Sequence, residues 1–201
     1  MTDLFQDAYL AFAAWPFRPA TPAELATHTL RTLQAISATA PVPIAWHVTG
    51  ETEPLALDEA TLERIVEAGV WRSDPDENGA TFTDPRRGFH VSFVGRRTDV
   101  PEGTWVEAIA LSLDVGKSGA EFPRDRAPMV WPNSITATVD GPVPDAAGRA
   151  WAAYVLRVLV AEWPASWGAV RSDDILDAVP PARQPETFVG YSTWVAQPHA
   201  P

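Results

Sequence analysis

The chain has 201 residues, of which 46% are hydrophobic, 20% are charged and none is cysteine, and its formal net charge is −11. This length and composition predict one globular domain, residues 1–201, and exclude disulfides, thiolate catalysis and cysteine-ligated zinc. The negative charge disfavours binding to nucleic acid and anionic membranes and favours a cationic partner.

The first part of the chain carries clear local signals. Residues 9–17 are apolar and aromatic, which predicts a buried strand. Thr21 and Glu24 fit a capping box around Pro22, so a helix is predicted to begin there. The residues expected on the buried face of this helix are Ala23, Ala26, Leu30 and Leu33.

The middle of the chain predicts a short strand, a helix and two longer strands. Residues 41–50 form the short strand, and Asp58 caps a helix that ends at Gly69. The apolar stripe of that helix is Leu62, Ile65 and Val66. A polar turn region, residues 72–87, precedes two segments with strand periodicity, residues 88–95 and 104–116.

The last third predicts a strand at 134–141 and a long helix that begins at Asp145 and ends before Pro164. Its expected buried stripe is Trp151, Val155, Val158, Leu159 and Trp163. Trp163 and Trp167 are predicted to pack this helix against the sheet. Strands at 167–172 and 186–195 follow, separated by a helical turn capped by Ser172.

Strands therefore cluster in the middle of a chain that also contains long helices. This order predicts an α+β fold with a single mainly antiparallel or mixed sheet and two or three long helices packed on it. The first ten residues lack the basic and apolar regions of a secretion signal, so a cytoplasmic protein with no membrane partner is expected.

Two stretches imitate ligand-binding loops but are better explained as turns. DPDENG, residues 74–79, opens like a calcium loop, yet Pro85 occupies the position that needs a bidentate glutamate. GKS, residues 116–118, follows a strand, but no helix follows it to complete a phosphate loop. Neither stretch predicts a metal or a cofactor.

The basic residues and histidines are interpreted as structural. His28, His47, His90 and His199 lack metal-ligand spacing. A small enzyme with an Asp/Glu/His pocket is an alternative, and it requires at least two titratable groups that converge in one cleft. His47 and His90 adjacent across a sheet, beside a carboxylate, would favour it. The pairs Arg86–Arg87 and Arg96–Arg97 are expected to pair with nearby acidic residues.

Acidic residues give the best candidates for a binding surface. Glu59, Glu63 and Glu67 recur every four residues on the second helix, and Asp173, Asp174 and Asp177 cluster after Ser172. Helix capping and solvated faces are competing explanations. Trp131, in the proline-rich loop at residues 117–133, is a candidate anchor, because tryptophan is frequent at interface hot spots. A structural tryptophan packed under this loop is the alternative.

The order of several motifs resembles the immunity protein 52 family of bacterial polymorphic toxin systems. The motifs are WPFRPATPAELATHTLRTLQAI, IAWHVTG, PNSITATV, RAWAAYVLRVLVAEW, WPASWGAVRSDDI and VGYSTWV. The resemblance covers about residues 9–195. It departs from the family at Pro164, where the junction Trp-Asp-x-x-Trp-Gly usually has its acidic residue.

The resemblance implies a non-enzymatic protein that binds and neutralises a cognate toxin, usually a nuclease, by stoichiometric contact. The expected partner is a basic nuclease domain, and the six acidic residues and Trp131 are the predicted contacts. A self-associating scaffold is a second alternative, which a symmetric apolar interface without a free acidic surface would favour. The sequence leaves the oligomeric state open.

Overall fold

The computed structural model of the protein describes residues 8–118, 133–139, 145–172 and 192–195. Seven strands and three α-helices follow one another in the predicted order. They are β1 Tyr9–Trp15, α1 Pro22–Thr39, β2 Ile44–Val48, α2 Glu59–Ala68, β3 Phe89–Arg97, β4 Glu107–Val115, β5 Asn133–Val139, α3 Asp145–Glu162, β6 Trp167–Ser172 and β7 Ser192–Val195. The helical turn predicted after Ser172 lies outside the described residues.

The strands form one sheet in the order β2-β3-β4-β5-β1-β6-β7, and every pair of neighbours is antiparallel. The N-terminal strand β1 lies inside the sheet, between β5 and β6. An antiparallel sheet with helices packed on it confirms the predicted α+β fold.

Strand periodicity divides the sheet into a core face and a more open face. In β4 the core-facing Leu111 is buried, whereas Ser112, the next residue, is only half-buried. Paired residues of five strands continue this buried row across the sheet. The row consists of Phe93, Leu111, Ala137, Ala11 and Val170.

The helices pack on the core face of the sheet. Helix α3 crosses β1, β5 and β6, whereas α1 lies against α2 and α3. The indole of core-facing Trp46 donates a 2.8 Å hydrogen bond to Ser37 of α1. Gly69, at the end of α2, lies so close to β3 that an added Cβ would be 2.5 Å from the His90 carbonyl oxygen. Aliphatic residues of sheet and helices therefore form one core.

Helix α1 begins with the predicted capping box. The Thr21 hydroxyl accepts from the Glu24 amide, and the Glu24 carboxylate accepts from the Thr21 amide at 2.8 Å. Its buried face differs from the prediction, because Ala23 is exposed and Leu30 is half-buried. Thr29 and Thr32 are buried, and their hydroxyls donate hydrogen bonds to backbone carbonyls one turn earlier in the helix. These bonds offset the cost of burying the hydroxyls. The buried residues are Leu25, Ala26, Thr29, Thr32, Leu33 and Ile36.

Helix α3 is fixed to the sheet by Trp163, as predicted. Its buried ring stacks on Trp15 with centroids 5.6 Å apart, and its indole N–H donates to Thr32 at 2.9 Å. Gly168 of β6 faces the helix, and a Cβ there would meet a Leu156 methyl at 2.8 Å. Trp167 therefore points to the opposite face, where it packs edge-on against Phe12. The prediction that Trp167 also wedges the helix was wrong.

Candidate partner-binding surface

Helix α2 presents the predicted glutamate stripe outward. Its buried residues Leu62 and Val66 face the core, which leaves Glu59 and Glu67 exposed and Glu63 half-buried. The helix begins at Asp58, whose carboxylate accepts from the Thr61 amide at 2.9 Å. This bond holds the pKa of Asp58 below its ordinary value. The stripe thus lies on an ordered, capped helix.

The stripe belongs to a larger acidic segment, residues 51–80. Nine acidic and two basic residues give this segment a formal charge of −7, against −11 for the whole chain. Eight of the nine acidic residues are exposed and Glu63 is half-buried. The nine are Glu51, Glu53, Asp58, Glu59, Glu63, Glu67, Asp74, Asp76 and Glu77.

Within the described residues, none of these nine carboxylates forms an ion pair. Arg64, which shares the helix with the stripe, donates to the Thr61 hydroxyl instead. Among the described residues, the Glu59 carboxylate accepts from Thr27, a neutral group. Arg64 and Arg72 offset only part of the charge, so the segment keeps an excess of exposed negative charge.

The basic pairs behave differently, and partly as predicted. Arg86 pairs with Asp84 at 3.0 Å, and Arg97 pairs with Asp99 at 2.8 Å. These contacts lower the pKa of both carboxyl groups. Arg87 instead stacks over the Trp71 ring, 4.1 Å from its centroid. The prediction of local ion pairing is thus confirmed for one arginine in each pair.

A hairpin follows α2 and carries the last three acidic residues of the segment, Asp74, Asp76 and Glu77. Its arms meet at the Arg72–Thr83 bridge, and the Ser73 amide donates to the Phe82 carbonyl at 2.9 Å. At its tip, the Asp76 carboxylate accepts from the amides of Asn78 and Ala80. DPDENG is therefore a turn closed by its own aspartate, as the sequence favours.

The hairpin also displays an aromatic side chain that the sequence analysis did not select. Phe82 is 62% exposed, more than either other exposed large hydrophobic side chain of the described chain, Trp105 at 51% and Phe17 at 43%. Its ring packs edge-on against Trp71, with centroids 5.8 Å apart. The sequence signal was a phenylalanine between polar residues in ATFTD.

A shallow groove of about 400 Å³ lies beside the C-terminal half of α2. Val48, Ile65 and Val91 form its apolar floor, and Glu51 and His90 also line it. The groove could accept an apolar side chain of a partner whose basic groups contact the acidic segment.

The structure does not bring His47 and His90 together. His47 pairs with Val94 of β3, four positions from His90, which is about 13 Å along a strand. The neighbour of His47 is a cation, since Arg96 Nη1 donates to His47 Nδ1 at 3.2 Å. Burial lowers the pKa of Arg96, whose guanidinium stacks on Trp105. The juxtaposition of His47 and His90 that would favour the enzyme alternative is therefore absent from the described residues.

The GKS stretch is a turn stabilised by side chains. Gly116 adopts a φ of +81°, and the Lys117 amide donates to the Asn133 carboxamide at 2.9 Å. Lys117 pairs with Asp114. Among the described residues there is no group of three or more acidic or histidine side chains that could hold a metal ion.

Four of the predicted contact residues lie outside the described residues: Asp173, Asp174, Asp177 and Trp131. The structure thus places the three α2 glutamates, and they belong to a chain segment, residues 51–80, in which eight carboxylates are exposed. No helix in the described part of the chain has both the length and the apolarity needed to cross a membrane. The chain matches no protein-family model, no curated protein and no solved structure.

Proposed function

We propose that this protein is an immunity protein that binds a cationic bacterial toxin and neutralises it by stoichiometric contact. The observation that carries the proposal is the acidic segment, with a formal charge of −7 and no ion pairs among the described residues. The resemblance of the motif order to the immunity protein 52 family supports it from the sequence.

The physical basis is competition for a basic site. A nuclease binds a polyanion, so its cleft carries lysine and arginine. A surface of unpaired carboxylates attracts such a cleft and raises the association rate by about tenfold to a thousandfold at low salt. A toxin that attacks nucleic acid acts in the cytoplasm, and there the protein would meet it.

The first experiment co-expresses the chain with the toxin encoded beside its gene. We expect growth to be rescued and the two proteins to co-purify in equal amounts. The absence of both rescue and co-purification would overturn the proposal. Catalytic turnover of a substrate by the chain alone would favour the enzyme alternative instead.

A matched pair of charge reversals tests the role of the acidic segment. Glu67→Lys changes an exposed residue of α2, whereas Glu102→Lys makes the same change at an exposed residue between β3 and β4. We expect Glu67→Lys to slow toxin association about fivefold at low salt and Glu102→Lys to change it less than about twofold. The difference should shrink at high ionic strength. Equal effects of the two variants would show that the segment has no special role.

A further inference from the structure

We infer that Phe82, next to the acidic segment, is the aromatic anchor that contacts its partner. The partner is a protein surface with an apolar pocket surrounded by lysine and arginine. This inference deepens the proposed function and rests on the same surface. It adds a contact that makes binding selective, since exposed charges alone attract any cation.

The exposure of Phe82 is unusual for its chemistry. A phenylalanine ring that is 62% exposed leaves apolar area in water that burial against a partner would remove. The adjacent residues in the chain, Thr81 and Thr83, are exposed like Phe82, and one ring contact, with Trp71, covers part of its surface. Aromatic residues, phenylalanine among them, are enriched in protein–protein interfaces relative to the rest of the surface.

The support beneath Phe82 is ordered. Its amide donates to the Ser73 hydroxyl at 3.1 Å, and its carbonyl accepts from the Ser73 amide. Trp71 contacts its ring on one side, and Trp71 in turn is covered by the Arg87 guanidinium. A side chain held in this way loses little conformational entropy when it binds, which is the advantage of a preorganised contact.

The charges around the hairpin indicate what the partner carries. Asp74, Asp76 and Glu77 are exposed on the same hairpin as Phe82. Their field repels phosphate groups, so stacking of the ring on a nucleic acid base is disfavoured. It also opposes a second copy of this chain, which would bring the same charges. An apolar pocket surrounded by cations satisfies both the ring and the carboxylates.

Two synthetic peptides test this pairing without the toxin. One has eight residues, with lysine and arginine on both sides of two central leucines, and in the second peptide serines replace the leucines. We expect the leucine peptide to bind about fivefold more tightly than the serine peptide, measured by tryptophan fluorescence at low salt. Phe82→Ser should abolish this preference and leave weak charge-driven binding of both peptides.

Phe17→Ser is the matched control, because Phe17 is 43% exposed and does not belong to the hairpin that carries Phe82. It should keep the preference for the leucine peptide. The inference is overturned if Phe82→Ser keeps the preference or if Phe17→Ser also loses it. It is equally overturned if Phe82→Ser instead abolishes binding of a single-stranded oligonucleotide or dissociates a dimer in sedimentation.

The peptide assay tests the anchor and the toxin assay tests the immunity function, so the two claims can fail separately. If the toxin is not neutralised but the peptides are discriminated through Phe82, the toxin proposal fails and the anchor stands. If the toxin is neutralised and Phe82→Ser binds it with unchanged affinity, the immunity function stands and the anchor is wrong. Circular dichroism of each variant tests whether the substitution leaves the fold intact.

Discussion

Two regions of the molecule use aromatic and acidic residues in opposite ways. Where α3 meets the sheet, Trp15 and Trp163 are buried and stacked, and the Trp163 indole has its hydrogen bond. In and beside the acidic segment, Phe82 and eight carboxylates remain exposed. The first arrangement stabilises the fold, whereas the second leaves interactions unmade that a partner can complete. The contrast separates residues kept for stability from residues available for binding.

Replacing Trp163 should have the largest effect. Trp163→Ala removes the stacked ring and its bond to Thr32, and we expect a loss of about 3–5 kcal/mol in the free energy of unfolding. Urea unfolding measures it. Phe82→Ala, the counterpart in the other region, should change stability by less than about 0.5 kcal/mol. Similar losses in both variants would remove the distinction between the regions.

Loss of the capping box of α1 should have an intermediate effect on stability. Two exposed glutamates differ in whether they have a partner. Glu24 is bound by Thr21, whereas Glu67 forms no ion pair with any described residue. Thr21→Ala should destabilise the protein by about 1 kcal/mol at neutral pH.

The pH dependence of this effect follows from the same hydrogen bonds. The bonds from Thr21 lower the pKa of Glu24 below its ordinary value of 4.5, so they stabilise the fold above that pH. Their contribution disappears as pH falls through the lowered pKa. Thr21→Ala keeps the amide donor and removes only the hydroxyl, which donates to the Glu24 carboxylate at 3.0 Å, so the difference in stability between wild type and variant should narrow in part in acid unfolding experiments. A constant difference down to low pH would contradict this assignment.

The smallest predicted change in the free energy of unfolding is a gain in stability. Helix α2 has no basic residue in its last turn, where a cation would interact favourably with the helix dipole. Glu67→Lys should therefore raise the free energy of unfolding by about 0.5 kcal/mol at low salt, while it weakens toxin binding. Thermal unfolding at two salt concentrations measures the gain. A variant that is both less stable and less able to bind would point to a structural role for Glu67.

Local sequence signals predicted the strands and helices, but they did not predict every buried helix face or every exposed aromatic side chain. The capping box at Thr21 and the alternation in β4 need only neighbouring residues, so the order of strands and helices was predictable. The buried face of α1 was not, because Thr29 and Thr32 enter the core only by bonding their own helix. Phe82 was missed because its support comes from Trp71, eleven positions away in the chain.

The position of β1 in the sheet has a consequence for synthesis on the ribosome. This first strand pairs on both sides with strands from the later part of the chain, since Tyr9 pairs with Val139 and with Ser172. Translation at roughly 5–20 residues per second leaves it without its second neighbour for about 10–30 seconds. Each nascent molecule therefore keeps one edge of β1 unpaired until β6 has emerged from the ribosome.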